Sequence, residues 1–419
     1  MMMRRWMLLT LLLSTLPAPL LTTGAWGESI FSREALGEWR EPYDLRAQGM
    51  GGVSIAIRDS FPHAQQNPAG IIFSRLSIAY VSIYPEKRWL RVPADGSACP
   101  NGLECPSSGG TKSQVSGGLA NIHSVIKLGP RWSLGLGVRQ INDPAYQIVN
   151  MIDSGGIGEA ERQEEGTGGF LSYTLGLAYR VSPDFSIGFE GSRISGAITD
   201  IVEYNFTNGN YMDTRDELTT RMKKGWQGRL GFLWAPGRLA MGGFYATAVA
   251  ADGTWNWRNQ DGVQTRLSFD IDLPPSAGYG MALDLGDRWR AGYDIVWRGW
   301  SKAKFPALDG SEPDYTDTWR IGLGVEKIGE VSTRARFGEG VSLRAGLSYT
   351  PWYFENAEGR RVTESAVSMG LGLPLSKDRG RIDFLLELGK RSVEEMKRPD
   401  EIFLRLGLGA TYGSMPREY

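Results

Sequence analysis

The sequence predicts an all-β fold: a transmembrane, antiparallel β-barrel of about fourteen strands. Three observations carry that expectation. Apolar residues alternate with polar residues or glycine through most of the chain. Aromatic residues cluster at the ends of the alternating segments. The connections between those segments are short and long by turns.

The chain opens "MMMRRWMLLTLLLSTLPAPLLTTGAWGES". Arg4 and Arg5 form a basic start, an apolar run follows from Trp6 to Leu16, and small residues gather at Gly24 to Gly27. That order reads as a secretory signal peptide over residues 1–27, cleaved after Ala25 or Gly27. Pro17 and Pro19 interrupt the apolar run well short of the ~20 residues that span a bilayer, which argues against an anchor helix. No Cys lies at the cleavage region, so a lipoprotein signal is not supported. The protein is expected to be exported to the outer membrane of a Gram-negative-type bacterium.

Composition narrows the class. Lys and Arg total 46 against 47 Asp and Glu, for a net charge of -1, so the basic excess of a nucleic-acid binder is missing. Glycine is abundant at 55 residues, aromatics make up 11%, and only two histidines occur. No second apolar stretch is long enough for a membrane helix; the nearest, residues 239–251, is short and rich in Gly, Ala and Thr. Barrel strands carry only such weak hydropathy signals.

The strands follow in order. "WSLGLGVRQ" sets Trp132, Leu134, Leu136 and Val138 against Ser133, Gly135, Gly137 and Arg139. "FSIGFEGSR" opposes Phe185, Ile187 and Phe189 to Ser186, Gly188, Glu190 and Ser192. "WRAGYDIVW" and "IFLRLGLGATY" repeat the pattern, and similar segments begin near Leu171, Leu230, Ala277, Trp319, Val341, Val367 and Ile382. Trp132, Trp226, Trp234, Trp289, Trp300, Trp319 and Trp352 sit where an interfacial girdle is expected. Residues 112–129 and 238–255 alternate poorly, which suggests a bulge or kink. The short connections "LGPRW", "VSPDF", "APGRL", "LGDRW" and "LSKDRGR" carry turn chemistry and are expected in the periplasm, with the long ones outside. One inner connection, "EKIGEVSTRARFGEG", exceeds that rule.

With the apolar face toward lipid, the lumen collects Arg139, Glu190, Arg193, Arg229, Asp284, Arg290, Asp294, Arg298, Arg320, Arg344, Asp383, Glu387 and Arg405. Such a mixed-sign set is either a solvated, mutually paired interior or a lining that positions a ligand's polar head. Gly135, Gly137, Gly407 and Gly409 on that face leave room inside or serve barrel curvature.

Catalytic and metal constellations are missing from the pattern. His63 and His123 are the only imidazoles, and His123 and Ser124 point to opposite faces of a strand. No His, Cys and carboxylate cluster has ligand spacing, so no enzyme, metal or cofactor is expected. Cys99 and Cys105, in an exported chain, read as a local disulfide closing a small loop.

Residues 46–70, "RAQGMGGVSIAIRDSFPHAQQNPAG", suit no dinucleotide fingerprint: Ser54 stands where the last glycine belongs, and no βαβ unit surrounds it. The segment instead resembles one found soon after the signal peptide in FadL-type outer-membrane transport proteins. The likeness rests on Gly49, Gly51 and Gly52, the apolar "VSIAI", Asp59 and the step Asn67-Pro68-Ala69-Gly70. "LPPSAGYGMALDLGDRWRAGYDIVWRGWSK" and "VSMGLGLPL…RIDFLLELGKR" resemble later hairpins of that family.

The resemblance implies a fourteen-stranded barrel over residues 74–419 with residues 28–73 folded inside as a hatch. In that hatch Gly49, Gly51, Gly52, Asp59, Asn67 and Pro68 are the plug and gate candidates. It implies passive uptake of small hydrophobic or amphipathic compounds, such as long-chain fatty acids, that leave laterally through a kinked wall. Trp255, Trp257, Phe305, Trp352, Tyr353 and Phe354 are the candidates for capture at the outer loops. The expected surroundings are the outer-membrane bilayer and lipopolysaccharide, with the protein a monomer and no nucleic acid bound. The stretch "ELGKR…EEMKRPDEIFLRLGLG" also resembles PorV-like components, which implies the alternative of a barrel that docks secreted proteins or assists assembly. A non-specific porin is the third reading.

Overall fold

The computed structural model describes residues 29–33, 35–61, 66–91, 111–116, 119–153, 159–206, 212–305, 314–330, 337–355, 360–375, 379–393 and 400–414. Residues 1–28, on which the expected signal peptide falls, lie outside the described residues, as do His63 and the two cysteines of the expected disulfide, Cys99 and Cys105.

A two-residue strand, β1 (Glu38–Trp39), and one helical turn, α1 (Leu45–Gln48), precede the wall. The wall has fourteen positions. The first three are interrupted strands: β2 (Ser77–Ile83) with β3 (Glu86–Arg91), β4 (Thr111–Ser116) with β5 (Leu119–Lys127), and β6 (Trp132–Gln140) with β8 (Tyr146–Asp153). Between the last two lies the short β7 (Asn142–Asp143). Three long strands follow, β9 (Glu159–Ser182), β10 (Phe185–Phe206) and β11 (Thr214–Trp234). Two more interrupted positions come next, β12 (Leu239–Ala246) with β13 (Val249–Arg258) and β14 (Gln264–Leu273) with β15 (Ser276–Asp284). The wall ends with β16 (Trp289–Arg298), β17 (Thr318–Lys327), β18 (Ser342–Glu355), β19 (Arg361–Leu375), β20 (Gly380–Val393) and β21 (Asp400–Ser414). Neighbours pair antiparallel, and β2 closes the barrel on β21 from Ser77↔Ser414 to Ile83↔Leu408.

Alternation decides which face meets lipid. Ile187 and Phe189 of β10 and Leu230 and Phe232 of β11 are exposed, whereas their neighbours of opposite parity, Glu190 and Arg229, are buried. That inverts the arrangement of a soluble sheet, because lipid rather than a core solvates the apolar side chains. The poorly alternating stretches are interruptions, as expected: Thr247 and Ala248 separate β12 from β13, and β4 and β5 are likewise separate strands. Pro274 and Pro275 divide β14 from β15, since proline donates no hydrogen bond to a ladder.

Two sequence expectations need correction. Trp300 and Trp352 do not join the girdle; they are 1% and 5% exposed and pack inside the barrel, unlike Trp132, Trp226, Trp234, Trp289 and Trp319. Arg193 is exposed on the outer face, because it shares the parity of Ile187 and Phe189. Strands β9, β10 and β11 run for 24, 22 and 21 residues, beyond the ~9–11 that a tilted membrane strand requires, so their outer ends stand clear of the bilayer.

Candidate functional site: the barrel lumen

Residues 29–33, 35–61 and 66–75 pack against inward-facing groups of the wall. Sequence sets this up locally: Asp44 caps α1 by accepting a hydrogen bond from Ala47 N (2.7 Å). Gly51 and Gly52 then turn the chain with φ of 67° and 87°, conformations that favour glycine. The wall answers with its own glycines. A Cβ on Gly346 would lie 2.0 Å from Gly51 N, one on Gly322 2.4 Å from Gly51 O, and one on Gly324 2.4 Å from Met50 O. The same holds for Gly407 and Gly409, whose absent side chains make room for Leu45. Asn67 fixes the far end: its Nδ2 donates to Ile55 O and Phe232 O (both 2.8 Å), and its Oδ1 accepts from Ala69 N (3.1 Å). Pro68 follows at the start of a 3-10 turn, Pro68–Phe73.

Charged side chains tie this segment to the wall at two levels. Toward the short turns, Arg46 pairs with Glu326 and with Asp59 (3.3 Å), and Arg381 pairs with Asp59 (3.2 Å) and Asp383 (2.8 Å). Arg344 joins Glu326 (2.9 Å) to Asp383 (2.6 Å). Burial opposes ionisation of Asp59, but Arg381 and Arg46 outweigh it and hold the carboxyl well below the usual range. Burial pushes the Asp44 carboxyl up to about 6. Higher in the lumen, Glu41 makes a two-pronged contact with Arg298 (2.6 and 2.7 Å), and Asp294 accepts from Ser54 N (2.6 Å) and Ile55 N (2.9 Å). Glu38 meets Arg405 (3.0 Å), Arg391 (2.9 Å) and Arg88 (3.1 Å), while Glu387 pairs with Arg405 (2.6 Å). Arg320 donates to Gly51 O (2.8 Å) and lies 4.7 Å over the Tyr43 ring.

One lumen cation stands apart. Arg139 is buried, and its Nε and Nη1 have no hydrogen-bond partner among the described residues. It faces a void of about 20 Å³ lined also by Arg40, Arg229 and Arg298 and, on the apolar side, by Ile141, Ile194 and Leu273. The nearby carboxylates are already engaged: Glu190 with Arg229 (3.5 Å), Glu41 with Arg298, and Asp143 with Arg40.

Above this void the lumen turns apolar. Phe31, Leu36, Ile141, Phe170, Trp300, Phe305, Tyr315, Trp352, Tyr353 and Phe354 belong to one buried cluster. Trp300 stacks on Tyr353 at 3.9 Å, and Trp352 meets Phe354 edge-on at 5.5 Å. Phe305, Trp352 and Phe354, candidates for capture at the outer loops, are buried, and their rings pack inward. Trp255 is half-buried beside Phe269 (4.9 Å), and Trp257 remains 40% exposed.

The wall breaks beside that cluster. At residues 141–145 the ladder between the third wall position and β9 is interrupted, although Ile141 N still donates to Phe170 O (3.0 Å), and β7 pairs instead with β1 of the N-terminal segment. Asn142 Nδ2 donates to Leu36 O (2.7 Å), Arg40 N donates to Ile141 O (2.8 Å), and a Cβ on Gly37 would lie 2.3 Å from Asp143 O. Beyond the break β8 pairs with β9 and β4 with β3, and among the described residues no ladder joins β4 to β8. The sequence signal for this break was the run Asn142-Asp143-Pro144, three breaker residues between alternating segments.

A closed fourteen-stranded barrel with an outward apolar band and a polar, occupied lumen defines an outer-membrane β-barrel protein of FadL-type architecture. A sequence profile for the family described as BamG matches residues 2–236 and 245–413, and the chain belongs to that family. No curated protein matches it. Among solved structures it resembles a FadL homologue of Pseudomonas aeruginosa at 14% identity, over 90% of this chain and 99% of that one, with a TM-score of 0.59. The toluene transporter TodX of Pseudomonas putida aligns at 14% identity, over 90% of this chain and all (100%) of that one, with a TM-score of 0.56. The monoaromatic hydrocarbon channel CymD aligns at 15% identity over 92% and 100%, with a TM-score of 0.54.

Proposed function

We propose that the protein carries small hydrophobic or amphipathic compounds, long-chain fatty acids among them, passively through the outer membrane as a monomer. On this reading residues 1–27 are the export signal, residues 28–73 a hatch and residues 74–419 the barrel. The observation that carries it is the break at residues 141–145: it adjoins the apolar cluster and is held by the same N-terminal segment that fills the lumen. Apolar cargo gains nothing from a water-filled pore and is stabilised among the rings of that cluster. A hatch movement that releases Asn142 from Leu36 frees the break, so cargo leaves sideways into the bilayer. Arg139, a buried cation whose own carboxylate neighbours are engaged, suits the carboxylate head of an amphipathic cargo. The hydrocarbon channels TodX and CymD share the architecture and lend support by analogy of fold.

Liposomes containing the protein should accumulate labelled palmitate faster than empty ones, and Arg139→Met should slow palmitate more than toluene. No difference between loaded and empty liposomes sinks the uptake reading. The second reading, a barrel that docks secreted proteins, is favoured by the small voids among the described residues of the upper lumen, two of which measure about 90 and 20 Å³ against the ~300–1,000 Å³ common for ligand pockets; a void of about 360 Å³ lies lower, toward the short turns. Co-purification of a stoichiometric protein partner, together with absent uptake, would establish it.

A further inference from the structure

The outward face of β10 and β11 changes character at Trp226. From the inner end, β11 presents Trp234, Phe232, Leu230, Gly228 and Trp226 to lipid, the last 64% exposed. The eight residue steps from one tryptophan to the other, at ~3.4 Å each and a tilt of ~40°, rise about 21 Å, close to the ~25 Å apolar band of outer-membrane barrels. Trp226 therefore marks the outer boundary between hydrocarbon and headgroups.

A bulge lies immediately beyond it. Pairing steps from Ile194↔Gly225 to Gly196↔Met222, so Lys223 and Lys224 together oppose one residue of β10. Lys224 has a φ of 58°, a left-handed conformation that is costly for a residue with a side chain. The result is two successive lysines that both face out. Arg193, also exposed, sits opposite Trp226 in register with its guanidinium 6.0 Å from the ring. Arg221 is the next outward residue up the strand. Three carboxylates share the face, Asp252 (2.9 Å from Lys224 Nζ), its ladder neighbour Asp270 and the next outward residue Asp272, which leaves four cations against three anions.

We propose that this ledge is a binding site for the phosphate-bearing headgroup of an outer-leaflet lipid. The depth argues for it: the cations stand at the level where lipid phosphates lie, next to a ring suited to the interface. The bulge argues for it too, because a regular ladder would send one of the two lysines inward. A soluble anion would gain little from such exposed charges in salt water, whereas a lipid adds its acyl chains against Phe189, Leu230 and Trp226.

The test is native mass spectrometry of the full-length barrel in detergent, with diphosphoryl lipid A, fully dephosphorylated lipid A and inorganic phosphate as separate additions. Diphosphoryl lipid A should be retained at least 10-fold more than the dephosphorylated form. The variants K223E and K224E combined with R193Q should lose that preference while keeping the heat-dependent gel shift of a folded barrel. The milder pair K223Q and K224Q should lose part of it. Equal retention of the two lipids, an unaltered preference in all variants, or displacement of the lipid by millimolar inorganic phosphate would each overturn the proposal.

Discussion

Asn142, at the break in the wall, and Leu36, in the N-terminal segment, are joined by a buried hydrogen bond of 2.7 Å from Nδ2 to the Leu36 carbonyl. The same amide accepts from Phe170 N at 2.7 Å, so one side chain ties the segment, the break and β9 together. Asn142→Ala leaves two buried backbone groups without partners, at about 1–3 kcal/mol each. The expected loss of ~2–6 kcal/mol would appear as a lower urea midpoint for unfolding from detergent. It should also raise small-ion conductance in planar bilayers if the segment then moves. Asn142→Asp keeps the acceptor and loses the donor, and is expected to fall between. A wild-type midpoint in Asn142→Ala would show that the joint is not a structural one.

The glycine contacts give a cleaner separation of the N-terminal segment from the wall. A Cβ at Gly51 would stand 2.3 Å from Leu347 O, with φ already at 67°. Gly51→Ala is therefore expected to displace the segment while leaving the ladders of β17 and β18 intact. Conductance should rise and near-native strand content should persist in circular dichroism. Gly191→Ala is the control, since nothing lies within 4 Å of a Cβ there. Equal conductance in the two variants would argue that the segment does not occlude the barrel.

Much of this architecture was legible from the sequence, and the exceptions have a common cause. Period-two alternation is a local property, so the wall strands and the inward placement of Glu190, Arg229, Asp294 and Arg405 could be read directly. Partnership is not local. Arg46 meets Glu326 across 280 residues, and Glu38 meets Arg405 across 367, because the register around the barrel brings them together. Trp300 and Trp352 misled because strand-end position predicts a girdle only while the chain keeps a regular ladder; here it folds inward after Arg298, and the register of β18 on β19 shifts between Pro351 and Glu355. The break itself had a legible trace in Asn142-Asp143-Pro144, but its pairing with Glu38 and Trp39 did not.

The carboxyls of the N-terminal segment predict an unusual pH profile. Arg381 and Arg46 depress Asp59, so its stabilisation is full above the ordinary carboxylate range of ~4 and is lost as pH falls through its lowered folded value. Asp44 works the other way. Burial raises it to about 6, so between ~4 and about 6 the folded state holds more protons than the unfolded one, and stability rises on acidification. Thermal unfolding followed at pH 7, 5 and 3 should therefore show a gain from 7 to 5 relative to Asp44→Asn, then a loss from 5 to 3 relative to Asp59→Asn. A profile identical in wild type and Asp44→Asn would remove Asp44 from the account.

Glu41 and Arg298 offer the most direct measure of how firmly segment and wall are coupled. Their two contacts of 2.6 and 2.7 Å are planar and two-pronged, and Arg298 also lies 5.3 Å over the Trp39 ring. Removing one partner of a buried pair strands the other charge at a cost of about 3–5 kcal/mol, whereas removing both can be nearly neutral. Arg298→Met alone should therefore be strongly destabilising, and Glu41→Leu with Arg298→Met should recover most of the loss. The two single variants and the double form a cycle whose coupling energy is read from urea midpoints. Conductance in the double variant then separates stability from gating. If the double is stable yet conducts more than wild type, the pair holds the segment in place; if it is stable and closed, the glycine contacts suffice to hold it.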